Sequence, residues 1–81
     1  MLVYKFDVLK ALNEVGITFT SVRESHLFSQ ATMVRFKHGD TGISLETLNR
    51  LCCVLEMQPR DIIKYVETEE ETKEIYSKIP H

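Results

Sequence analysis

Residues 44–55, SLETLNRLCCVL, set the tightest limit on what this chain can fold into. The apolar side chains of Leu45, Leu48, Leu51, Cys52 and Leu55 recur at intervals of three and four, the spacing of one helical face. Ser44 stands where a hydroxyl caps a helix start, and Glu46 lies near the positive end of the helix dipole. On the same wheel Cys53 points away from the stripe. A one-sided helix needs other elements to cover its stripe, and the remaining sequence offers more helices. Asp7 caps a first one over residues 8–15, with Val8, Ala11, Leu12 and Val15 in one stripe and Gly16 as its stop. The hydroxyls of residues 18–21 suit the start of a second, about residues 20–26, followed by a short hinge at Leu27 and Phe28. Ser29 caps a third that runs to Lys37 and stops at Gly39, and Asp40, Thr41 and Gly42 make a turn. After the fourth, Pro59 opens a fifth, with Asp61 in its first turn and Ile62, Ile63, Tyr65 and Val66 to bury. Residues 1–6 read as extended, with Leu2, Tyr4 and Phe6 free to pack, and no strand pair is expected. The expected class is therefore all-α, a compact five-helix bundle with a short acidic C-terminal tail. The stretch ETEEETKE, residues 67–74, either extends the fifth helix or stays loose.

Size and composition narrow the function classes. Eighty-one residues allow one domain and one core. Hydrophobic residues make up 43% of the chain, and Gly and Pro are few, so it should fold. No apolar run approaches the roughly twenty residues of a membrane span. The opening MLVYKFDVLK has neither the apolar segment nor the cleavage site of a signal peptide, so a cytoplasmic location is expected. Cys52 and Cys53 are adjacent, a spacing that allows only a strained disulfide and suits a reducing compartment. The histidines, His26, His38 and His81, do not cluster in sequence, so no metal site is expected. No cofactor, small-molecule ligand or membrane partner is expected either. Glu46, Asp61 and the histidines lack the spacing of a nucleophile and its base, and Ser21, Ser25 and Ser29 are explained as cap and surface residues. The chain is not expected to be an enzyme.

The third helix is the exception to an otherwise ordinary charge pattern. Within a chain of net charge −2, the segment SQATMVRFKHG (29–39) holds one arginine, one lysine and no acid. On a wheel, Met33 and Phe36 lie together, with Ser29 and Thr32 near them. Opposite lie Gln30, Ala31, Val34 and Arg35, with Lys37 on the flank. That outer set suits the DNA major groove: Gln bonds an adenine edge, Arg bonds guanine O6 and N7, and Ala and Val touch a thymine methyl. The absence of acid matters because phosphates line the groove. The plainer alternative is a solvated surface helix of a small bundle, with Val34 incidental.

The order of the pieces adds a resemblance. Residues 19–36, a helix, a short hinge and a second helix, resemble a helix-turn-helix of the Cro and phage-repressor type, the Xre family. The following ISLETLNRLCCVLEMQPRDIIKY (43–65) is similar to the fourth and fifth helices of small members, through Ile43, Ser44, Thr47, Leu48, Leu51, Cys52, Leu55, Pro59, Asp61, Ile62 and Ile63. The likeness covers about residues 3–66. It implies base contacts from Gln30, Ala31, Val34 and Arg35, and core positions at Met33 and Phe36. It also implies phosphate contacts from Thr20, Ser21, Arg23, Ser29, Lys37, His38 and Ser44. The family often has alanine at the place of Arg23 and glycine at the place of Leu27. Both are large here and leave room for a different angle between the second and third helices. Arg23 either reaches phosphate or pairs with a nearby acid. His26 is either a satisfied, half-buried histidine or a phosphate contact.

The resemblance implies a sequence-specific DNA-binding transcriptional regulator of bacterial or phage type. Its DNA-binding domain would span residues 1–66 and an acidic extension residues 67–81. The alternative is a protein-interaction module on the same fold, such as an antitoxin or anti-repressor component, which the charge distribution favours. Residues 1–66 carry a net +1 and residues 67–81 a net −3. The tail is either a solvated extension or a tethered competitor lying over Arg35 and Lys37. The expected partner is double-stranded DNA. A homodimer is expected on it, because one short recognition helix meets only a few base pairs. Its surface would be Cys53 and Val54, residues 1–6, or the tail around Ile75 and Tyr76.

Overall fold

The structure, a computed structural model, describes residues 1–80, so the third histidine of the scattered set, His81, lies outside the described residues. Among the described residues the elements are β1 (Leu2–Tyr4), α1 (Val8–Glu14), α2 (Phe19–Ser25), α3 (Gln30–Lys37), α4 (Leu45–Leu55), α5 (Pro59–Ile62), β2 (Ile63–Tyr65) and α6 (Glu69–Ser77). The caps read from the sequence explain most helix starts. The Asp7 carboxylate accepts the Lys10 N–H at 3.1 Å, and Ser29 and Ser44 accept the N–H groups of Thr32 and Thr47 at 3.0 and 3.1 Å. Thr18 and Ser21 form a reciprocal capping box at the start of α2. Gly16 ends α1 in left-handed backbone, φ +85°, where a side chain would be strained.

The core lies where these helices converge. Val8 and Leu12 of α1, Val22 of α2, Phe28 of the turn, Met33 and Phe36 of α3, Leu51 of α4 and Ile62 of α5 are all buried. Phe28 meets Phe36 edge to face at 5.3 Å. The inward wheel positions of α3 are thus the ones the sequence assigns. Leu48, Cys52 and Leu55 of α4 pack against the same core.

Several expectations are corrected. The chain is mostly helical rather than all-α, because β1 pairs with β2 in an antiparallel sheet with Leu2 opposite Tyr65 and Tyr4 opposite Ile63. The fifth helix ends at Ile62, and the next three residues, two of them β-branched or aromatic, become β2. Tyr65 and Val66 consequently face solvent instead of the core. There are six helices among the described residues, not five, since 69–77 form a separate helix rather than a continuation of α5 or a loose tail. Nor is the molecule compact. It measures 50 × 22 × 19 Å, and its radius of gyration is 14.9 Å, against about 12 Å for a compact chain of this length. No residue of α6 is buried. Val15 and Leu45 leave their stripes: Val15 is the C-cap beyond the end of α1, and Leu45, 83% exposed, is the first residue of α4.

Candidate nucleic-acid interface

Helix α3 packs against α1 and α2 through Met33 and Phe36 and turns its other side to solvent. Ala31, Val34, Arg35 and Lys37 are exposed there. Val34 leaves 43% of its surface to solvent. The outer face carries two cations and two small apolar groups on a helix anchored by its buried face.

Gln30 is placed differently from its neighbours. It is half-buried, and its Nε2 donates to the Phe19 carbonyl at 3.1 Å, which ties the start of α3 to the start of α2. One of its amide hydrogens is therefore engaged within the protein. Arg35 is engaged as well. Its Nη1 lies 3.0 Å from Asp40 Oδ2, so the acid missing from α3 itself stands in the turn that follows.

Three of the four hydroxyl candidates for phosphate contact, Ser21, Ser29 and Ser44, serve as caps. Ser21, Ser29 and Ser44 each bond the backbone at a helix start, and Ser29 and Ser44 also bond the hydroxyls of Thr32 and Thr47. Thr20, Arg23, Lys37 and His38 are exposed, and among the described residues Arg23 and Lys37 have no ion-pair partner. His26 is exposed and not half-buried. It caps α2 in left-handed backbone at φ 58°, so the left-handed residue of the hinge stands one position before Leu27. Leu27 instead packs against the core.

Four residues shape this surface without having been singled out for it. Arg50 of α4 donates to the Leu27 carbonyl at 2.8 Å and bonds Glu46 at 3.0 Å, bracing the turn between α2 and α3 from behind. Tyr4 of β1 donates to the Asp40 carbonyl at 2.9 Å and lies edge-on to Phe36. Burial pushes its phenol up to about 12; the Asp40 carboxylate adds to the rise and Arg35 opposes it. Asp40 and Gly42 complete the set. The run HGDTG signals a turn, but nothing local says that Asp40 reaches back to Arg35.

Among the described residues no helix is long and apolar enough to cross a membrane, and no group of three or more His, Cys, Asp or Glu could hold a metal ion.

A family model described as a Cro/C1-type HTH DNA-binding domain matches residues 8–68, most of the chain. No curated protein matches. Among solved structures, the crystal structure of a candidate DNA-binding protein from Bacteroides fragilis is similar with a TM-score of 0.54. The two are 23% identical, over 79% of this chain and 100% of that one, a likeness of fold. Helix α6 begins just beyond the matched span.

Proposed function

The chain belongs to the Cro/C1-type helix-turn-helix DNA-binding family, and from that premise we propose that it is a sequence-specific transcriptional regulator of bacterial or phage type, acting in the cytoplasm as a repressor. Helix α3 enters the major groove, and bound protein blocks polymerase by occupancy. Ala31, Val34 and Arg35 meet base edges, joined by the free part of the Gln30 amide. Thr20, Arg23, Lys37 and His38 meet phosphates. Ser21, Ser29 and Ser44 contribute by holding the first turns of their helices open toward the backbone. Residues 1–66 form the DNA-binding unit and residues 67–81 an accessory extension. Two copies occupy paired half-sites about one helical turn apart.

The observation that carries this reading is the outer face of α3: cations and small apolar groups, no acid, on a helix held by two buried side chains. Gel shifts against genomic DNA fragments at low and at moderate salt test it. A band that survives competitor DNA at moderate salt is expected. No shift even at low salt would refute the reading. That result would favour the rival, a protein-interaction module on the same fold, whose support is the uncovered apolar side chains of Ile75 and Tyr76 on α6 and of Ile79 just past its end.

A further inference from the structure

Asp40 is an unusual residue to find beside a surface meant for DNA. Its carboxylate makes two bonds: Oδ2 accepts from Arg35 Nη1 at 3.0 Å, and Oδ1 accepts the Gly42 N–H at 2.7 Å. Its backbone is fixed as well. The Asp40 N–H donates to the Arg35 carbonyl at 2.8 Å, and its carbonyl accepts the Tyr4 hydroxyl at 2.9 Å. Tyr4 belongs to the sheet and packs on Phe36, so the carboxylate is mounted on the core rather than on a free loop.

Gly42 belongs to the same arrangement. Its backbone is not in the left-handed region, so no conformational reason requires glycine there. The space does: a Cβ at this position would lie 2.9 Å from Arg35 Nη1 and 3.0 Å from Asp40 Oδ1. The missing side chain is what lets the guanidinium lie against the turn.

Stability does not explain the pair. Both side chains are about half exposed, and such pairs contribute little. An acid close to where phosphates would lie also weakens binding to DNA of any sequence. We propose that Asp40 and Gly42 are positioning residues for base recognition: they anchor Arg35 through Nη1, present its remaining N–H groups to a guanine edge, and keep it from the flanking phosphates. This rests on the reading of α3 as the groove-binding helix. Among the described residues Nε and Nη2 of Arg35 have no protein partner, so a two-bond contact with guanine O6 and N7 remains open. Without Asp40 the guanidinium is free to swing to a phosphate, which attracts it whatever the sequence.

The test compares wild-type protein, D40N, G42A and R35A on sites selected by the wild type, on single-base variants of those sites, and on unrelated DNA at two salt concentrations. D40N is expected to lose about tenfold of the guanine preference at one base pair, yet to bind unrelated DNA more tightly with a salt slope steeper by about one. G42A leaves the charge unchanged and is expected to lose the same preference, which assigns the effect to geometry. Thermal melts check folding; should G42A melt early, D40N alone decides, since it alters an exposed carboxylate. D40N that binds selected sites more tightly with its guanine preference intact would overturn the proposal, leaving Asp40 as a repulsive charge only. R35A with unchanged base preference would overturn it too. Wild-type protein that binds no DNA would remove the underlying reading along with it, a result distinct from either.

Discussion

Helices α3 and α6 start with the same device. Ser29 accepts the N–H of Thr32 and Thr68 that of Glu71, in each case three residues on. Each helix also carries apolar side chains along one side: Met33 and Phe36 in the first, Ile75 and Tyr76 in the second, with Ile79 just past its end. In α3 they are buried, at 0% and 2% exposure, whereas in α6 they are 51% and 62% exposed. Capping and periodicity therefore decide that a helix forms, and what lies across from it decides whether its apolar side is covered. Helix α3 faces α1 and α2, while α6 packs closely on no other element and none of its residues is buried.

The contrast is easiest to break by truncation. Phe36→Ala removes a ring in contact with Phe28 and Tyr4 and should lower stability by about 3–5 kcal/mol, while Ile75→Ala should stay within about 0.5 kcal/mol. Denaturant midpoints of the two variants measure this, and equal losses would mean that α6 is packed in solution. A second comparison sets the two cations of α3 against each other. Arg35→Ala should cost about 1–3 kcal/mol of discrimination at one base pair, whereas Lys37→Ala should weaken binding to all sequences and lower the salt slope by about one. Binding measured on single-base variants at several salt concentrations separates them.

The Tyr4 phenol sharpens the link between sheet and α3. Its pKa is raised in the folded state, so its contribution is fully present below about pH 10 and is lost as pH rises toward 12. Stability should fall by about 1 kcal/mol near pH 11, and Tyr4→Phe, which cannot titrate, should lack that component. Urea melts at pH 8 and pH 11 check it. Within α4, Cys52→Ser should destabilise by about 1 kcal/mol because Cys52 packs against the core, while exposed Cys53 should tolerate serine within about 0.5 kcal/mol. A maleimide probe should label Cys53 first, and faster labelling of Cys52 would reverse the order of burial. The smallest effect concerns the tail. A competing contact of 67–81 with Arg35 and Lys37 would involve exposed charges and be worth less than about 1 kcal/mol. We expect truncation after Val66 to leave the amide shifts of residues 30–37 unmoved at low salt. Moved shifts would reinstate the tail as a competitor.

How much of this was legible in the sequence follows from the range over which each signal acts. Asp7, Ser29 and Ser44 act on residues three positions away, and the Met33–Phe36 pair obeys a period, so the first four helices and the inward side of α3 could be read directly. The sheet could not. Its strands are three residues each, and IKY continues the apolar spacing of the preceding turn, so only its distant partner Leu2–Tyr4 distinguishes strand from helix. The site divides the same way. The outer positions of α3 follow from its period, but the bond from Gln30 to Phe19 and the pairing of Arg35 with Asp40 depend on how the chain returns after each turn.

The pairing of Leu2–Tyr4 with Ile63–Tyr65 also fixes the timetable of folding on the ribosome. Helices close their hydrogen bonds between near neighbours in sequence, but β1 has no partner until β2 has been made. At about 5–20 residues per second, the interval from Tyr4 to Ile63 is roughly 3–12 s. Throughout that time the backbone N–H and C=O groups of Leu2–Tyr4 have no strand to pair with. Leu2–Tyr4 is thus made well before Ile63–Tyr65 yet can take its place in the sheet only after it.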